Sequence, residues 1–331
     1  MAFITFYETG EQVKIDVKKD LKYATFGGQS RIYYWTYKRK HYVIKAIPDP
    51  SEIFRRIKDL RLRLKEKSKG ERIPHGIFYR GLPVGQGRGL PQEFGFKTVK
   101  NVGLLVFRKV YGNNLMSYLK NEEPLSKRRR AMARMALDIL IYMQDCGIVH
   151  GDLYPDNFMV DDLKNRVNPN LYIIDFEGAG ILNTRRTAWY WQPTVLGKEY
   201  MFPNPPEVKE TGVPSFYSDR WIGVYLIFYI LAGFKQLKHP IPFLIRIDHK
   251  VLNAMYLAAD KKVACWPPKL PSSFRYISRH YPPEKFAKFM KYYFSGTRFE
   301  WILFKTYIAG YKDPQKRPDF REVKYCLRGV L

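Results

Sequence analysis

Three classes of residue are scarce in this chain, and each scarcity excludes something. Cysteine occurs only as Cys146, Cys265 and Cys326 among 331 residues. They stand far apart, with neither the even count of a disulfide framework nor the spacing of a metal knuckle, so a reducing, cytoplasmic setting is expected. Long apolar runs are missing. The longest, Trp221 to Phe234, is too short to cross a bilayer and predicts a buried helix, and the N-terminal residues lack the basic-then-apolar order of a signal peptide. Acid is short relative to base, with 31 Asp and Glu against 57 Lys and Arg, for a formal net charge of +26. That imbalance suits an anionic partner: a nucleotide, or nucleic acid or another polyanion met through a basic surface, or an acidic protein or membrane surface. No nucleic-acid-binding motif of defined spacing accompanies it.

What is present is ordinary globular material. Hydrophobic residues make up 46% and charged residues 27%, and the length suffices for two modest cores. Residues 1–22 alternate in polarity, with Phe3, Thr5, Val13, Ile15 and Val17 on one phase, and predict one or two strands. Ala24 to Trp35 predicts a hairpin broken by Gly27 and Gly28. His41 to Ile47 predicts a strand that carries Lys45 within an apolar run, a costly place for an unpaired ammonium. Residues 51–69 predict a helix capped by Ser51, with Ile53, Ile57, Leu60 and Leu64 on its inner face. Residues 76–95 are glycine-rich and predict loop or short strands, and Val102 to Phe107 predicts a buried strand. Ser126 to Cys146 predicts a long helix stopped by Gly147.

The chemistry concentrates in Ile148 to Val160. Asp152 is followed five residues later by Asn157, and Asp175 comes after the apolar run Leu171 to Ile174. One acid to orient a hydroxyl, with further oxygen donors for magnesium, is what phosphoryl transfer requires. The His150-Gly151-Asp152 run with Asn157, and the Ile174-Asp175-Phe176 run, resemble the catalytic loop and metal motif of the protein-kinase-like superfamily. Further matches fall in the same order. Gly27 and Ile32 resemble parts of the glycine-rich loop, although Thr25 and Ser30 replace its other glycines. Lys45 resembles the phosphate-holding strand lysine. Pro206-Glu207 resembles the end of an activation segment, Asp219 the residue that leads the central helix, and Arg317 the late arginine that pairs with that glutamate.

The resemblance covers about residues 20–325. It implies an α+β, two-lobed protein-kinase-like fold, with a β-rich N-lobe over 1–110 and a helical C-lobe over 111–331. It implies ATP with Mg²⁺ or Mn²⁺, nucleotide contacts at Gly27, Gly28, Ile32, Lys45, Phe107, Lys109 and Val110, and metal ligands at Asn157 and Asp175. Asp152 is the implied catalytic carboxylate that orients the acceptor hydroxyl, His150 a brace of the loop, and Glu66, with Glu52 as alternative, the partner of Lys45. An ion pair between Arg317 and Glu207 is expected. The implied reaction is Ser/Thr phosphorylation of protein substrates whose identity no segment specifies. Two departures bear on it. Gly151 stands where regulated kinases carry arginine, which implies activity independent of activation-segment phosphorylation. Glu177 replaces the usual glycine after Asp-Phe, which limits backbone swing there. His-Gly-Asp and Glu-Gly-Ala-Gly also resemble small-molecule phosphotransferases, so that acceptor class stays open, as does a pseudokinase scaffold.

Overall fold

The computed structural model describes residues 1–27, 30–48, 50–67, 81–96, 99–162, 169–181, 205–211, 213–233, 302–303, 305–306, 310 and 313–331. Gly28, Ile73 to Ile77, most of the activation-like segment 181–206 and nearly all of 234–312 lie outside the described residues. The chain divides into two compact units. One comprises Met1–Leu115 with Asp156–Thr184, the other Met116–Pro155 with Arg185–Leu331. Strands dominate the described part of the first and helices that of the second, an α+β arrangement.

In the first unit, β1 (Ala2–Phe6), β2 (Gln12–Ile15), β3 (Leu21–Gly27), β4 (Ser30–Tyr37), β5 (Lys40–Pro48), β6 (Gly85–Gly89) and β7 (Val102–Arg108) form one sheet in the order β2-β1-β6-β7-β5-β4-β3. Every pair in it is antiparallel. A four-residue helix α1 (Val17–Asp20), capped by the Asp16 carboxylate, turns the chain from β2 into β3. The sheet is curled. β1 and β4 are four strand steps apart, about 19 Å in a flat sheet, yet the Phe6 ring lies 6.0 Å from Trp35 and 6.0 Å from Tyr37. The curl encloses an aromatic and aliphatic core of Ile4, Phe6, Tyr33, Trp35, Tyr42, Ile44, Leu104 and Val106. The inward phase of β1 is Ala2, Ile4 and Phe6. Phe3, expected on the buried phase, is 56% exposed, because the curled core lies on the other face of the strand.

Opposite residues of an antiparallel pair share a face. Lys45 on β5 sits opposite Ile32 on β4 and Leu105 on β7, and Val43 opposite Phe107. The second face of the sheet therefore carries Ile32, Val43, Lys45, Leu105 and Phe107 side by side, all but Leu105 only half-buried. Helix α2 (Ser51–Lys67) follows β5 and buries Ile57, Leu60 and Leu64. Its first residue is Ser51 rather than a cap before it, since the Pro50 carbonyl already accepts from Phe54 N–H at 2.8 Å. Gly103 admits this helix start: a Cβ there would lie 2.2 Å from Pro50 and 2.6 Å from Phe54. A second, small sheet in the order β10-β9-β8 comprises β8 (Asn113–Asn114), β9 (Phe158–Asp161) and β10 (Asn170–Ile173).

In the second unit, α3 (Lys127–Asp145) begins at a Ser126 cap that accepts from Arg129 N–H, and ends before Gly147, whose φ of 72° suits glycine. After the short α4 (Pro206–Thr211) comes α5 (Phe216–Ala232), buried all round from Trp221 to Ala232. Its first turn is closed by a capping box between Ser215 and Ser218. α6 (Phe320–Cys326) lies near the C-terminus and packs on α3 and α5. No helix among the described residues is long and apolar enough to cross a membrane. Cys146 and Cys326 are buried and not disulfide-bonded.

Candidate active site

The strands β9 and β10 pair with Phe158 opposite Ile173, and Ile174 N–H donates to the Asn157 carbonyl at 2.8 Å. Asn157, just before β9, and Asp175, just after β10, thus leave the same end of one hairpin. Asp175 has φ 69° and ψ 52°, a left-handed conformation that aspartate tolerates better than most residues. The chain then makes a single 3₁₀ turn over Phe176–Gly178, with Phe176 and Glu177 buried.

This turn delivers two carboxylates to Lys45. Lys45 Nζ donates to Asp175 Oδ1 at 2.7 Å and lies 2.9 Å from Glu177 Oε1. The Asp175 side chain is 36% exposed, whereas Glu177 is only 8% exposed. Burial pushes the Glu177 carboxyl up to about 8, with the Asp175 charge adding to the rise and Lys45 opposing it. Burial disfavours the charge on Lys45, but Glu177 and Asp175 outweigh it and hold the amine above the ordinary lysine value. Two acids thus face one ammonium. Asn157, buried at 8% exposure, belongs to the same unit.

Neither acid expected from helix α2 reaches Lys45. Glu66 is an exposed side chain 3.8 Å from Arg63, and Glu52 binds Arg55 at 2.8 Å and Arg56 at 3.0 Å. Their fourteen-residue separation does put them on one face, but both are held by the helix's own arginines. The partner that the sequence reading missed is Glu177. Its signal was present as an acid two residues beyond the metal-motif aspartate, where a glycine was expected. Of the implied nucleotide contacts, Ile32, Lys45 and Phe107 share the half-buried face of the large sheet. Gly27 ends β3 opposite Ser30, and Gly28 is outside the described residues. Lys109 N–H is spent on the His41 carbonyl at 3.0 Å, while its ammonium lies 4.2 Å from the Tyr34 ring centre.

The second unit holds Asp152 in a braced loop. The buried Asp219 carboxylate, in the first turn of α5, accepts from His150 N–H at 2.6 Å and from Gly151 N–H at 2.9 Å. His150 is fully buried, and its Nδ1 accepts from Asp152 N–H at 3.3 Å. Gly151 has φ 80°, so glycine at this point serves backbone conformation as well as leaving out the arginine of regulated kinases. Further along, Arg317 is 1% exposed and binds Glu207 with both terminal nitrogens, at 2.6 and 2.7 Å. It also donates to the carbonyls of Gly310 and Tyr217, and lies 4.7 Å from the Trp221 ring centre.

Carboxylate and carboxamide oxygens are donors of the kind that hard cations take. Among the described residues no group of three or more His, Cys, Asp or Glu is gathered to hold a metal alone. Asp175 and Asn157 offer oxygen only, as for magnesium completed by phosphate oxygens. No protein-family model matches the chain. It is 30% identical over 146 residues to "Serine/threonine-protein kinase PKH2" of Candida albicans (strain SC5314 / ATCC MYA-2876), a match covering 41% of this chain and 15% of that protein. That likeness supports a place in the protein-kinase-like superfamily.

Proposed function

We propose that the chain is an ATP-dependent protein kinase of the Ser/Thr type, with a two-lobed fold of N-lobe 1–110 and C-lobe 111–331. The observation that carries this is Lys45 on the half-buried sheet face, 2.7 Å from the aspartate that follows β10. A lysine–aspartate pair of this kind presents one phosphate-holding cation beside one metal-holding anion. Asn157 and Asp175 hold Mg²⁺ in this reading, and the ion, when bound, neutralises charge on the phosphate oxygens. Lys45 binds phosphate oxygens, Ile32 and Phe107 flank the base, and the Lys109 carbonyl and Val110 N–H are left for the adenine edge. Asp152 accepts the proton of the acceptor hydroxyl and aligns it. Its loop is preset by Asp219, so little reorganisation is needed as the reaction begins. With no arginine at 151, activity is expected without activation-segment phosphorylation. The likeness to a Ser/Thr protein kinase supports protein as the acceptor.

The test is transfer of labelled phosphate from ATP, with Mg²⁺ or Mn²⁺, to the chain itself and to basic and acidic generic proteins. Asp152→Ala should lower the rate about a hundredfold or more. Label on protein that is lost in this variant supports the reading. Label on small acceptors alone replaces it with a small-molecule phosphotransferase, and ATP binding without turnover replaces it with a pseudokinase scaffold.

A further inference from the structure

We propose that Glu177, not an acid of helix α2, is the residue that positions Lys45 for phosphate, so that the lysine anchor belongs to the turn carrying the metal-motif aspartate. This rests on the phosphoryl-transfer reading above. Three observations carry it. First, Glu177 Oε1 is 2.9 Å from Lys45 Nζ, and Lys45 is its cationic partner among the described residues. Second, each acid of α2 is engaged by the helix itself: Glu52 by Arg55 and Arg56, Asp59 by Arg55, Glu66 by Arg63. Third, α2 packs against the Phe176–Gly178 turn, so the helix and the turn that carries Glu177 both lie near the lysine's strand without an α2 acid on its ammonium.

The two acids differ in a way that divides their work. Asp175 is over a third exposed and able to turn toward a ligand, whereas Glu177 is enclosed and has nowhere else to go. When Asp175 faces a metal-bound phosphate, Glu177 keeps an oxygen on Lys45 and holds the ammonium in place. The anchor then comes from the turn that carries Asp175, and no carboxylate of α2 is needed on the lysine. Glu177 touches neither substrate nor reacting atoms; it is a positioning residue.

The experiment compares Glu177→Ala, Glu177→Gln, Glu52→Gln and Glu66→Gln in the full chain, each with thermal unfolding recorded. Labelled-ATP equilibrium dialysis gives affinity, and steady-state transfer gives kcat and KM. Glu177→Ala should weaken ATP binding and raise KM for ATP about tenfold, with KM for the acceptor unchanged. Glu177→Gln, which keeps an oxygen at the same reach, should recover part of the loss. Both α2 variants should stay within about twofold of wild type. In a Lys45→Met background, Glu177→Ala should cost no further affinity and should raise the unfolding midpoint by relieving an orphaned carboxyl.

A Glu66→Gln or Glu52→Gln loss with a wild-type-like Glu177→Ala overturns the assignment. So does a Glu177→Ala loss confined to kcat with unchanged ATP affinity, the mark of a fold defect. If wild type binds no ATP, the phosphoryl-transfer reading itself falls. The unfolding cycle then still reports whether positions 45 and 177 are coupled, as a structural pair only.

Discussion

The Asp219 carboxylate serves two consecutive backbone N–H groups in a buried place, and no water can take over either bond. Asp219→Asn keeps the shape but turns an amide NH₂ toward one of those donors. The expected loss is about 2–3 kcal/mol in chemical denaturation, together with reduced transfer because the Asp152 loop loosens. Gly151→Ala places a Cβ at φ 80° and should cost about 1–2 kcal/mol, read as a lower urea midpoint. Arg317→Ala is more severe. It strands Glu207 and two carbonyls, and about 3–5 kcal/mol is expected by the same measurement.

At the scale of elements, close packing decides what one substitution can shift. Gly103→Val on β7 would drive its side chain into Pro50 and Phe54 and lift the first turn of α2. About 1–3 kcal/mol should be lost in thermal unfolding, while transfer per folded molecule stays near wild type if Lys45 is anchored by Glu177. The curl of the large sheet has a titratable clasp. Glu11, just before β2, accepts from Tyr37 at 2.6 Å and from Lys38 at 2.7 Å. The hydrogen bond from Lys38, then that from Tyr37, holds its carboxyl below the ordinary 4.5. A depressed acid stabilises above its unfolded pKa and loses that contribution as pH falls through the folded value. Comparing urea midpoints of wild type and Glu11→Gln, the difference should be small, full at neutral pH, and should vanish in acid below 4.5.

The α3 helix shows how far pattern reading carried. Its stop at Gly147 and its apolar face are both visible in the residue order. Its opening run Lys127-Arg128-Arg129-Arg130 reads as a solvated basic surface. In the structure Arg129 is 4% exposed and donates to the carbonyls of Leu119, Glu122 and Ile230. Ile230 lies in the last turn of α5, where carbonyls lack helical partners and a cation is favourable. One residue of these four closes a helix end that is 100 residues away in sequence. No local period could single it out.

For the molecule as a whole, the +26 charge is the property most open to test. Retention on an anionic polymer should be strong at low salt and fall steeply as salt rises, because it depends on counterion release. Residues 12–15 and 40–48 illustrate what their own order settles: alternation and β-branched content make strands there. Asp152, Asn157 and Asp175 stood out as candidates because a loop chemistry that uses short spacings leaves them close in sequence. Lys45 was legible as an anomaly, a cation in an apolar strand. Its partner was not. A buried ammonium must be neutralised by whatever oxygen the packing brings within about 3 Å, and on α2 the residue order favoured Glu66, with Glu52 as the alternative. Only the tertiary structure spent those acids on neighbouring arginines and set Glu177, 132 positions downstream of Lys45, against its ammonium. Local pattern determined most of the elements and marked the candidate groups; the pairing of buried charge was decided by packing between distant segments, where the cost of leaving a charge unmatched is highest.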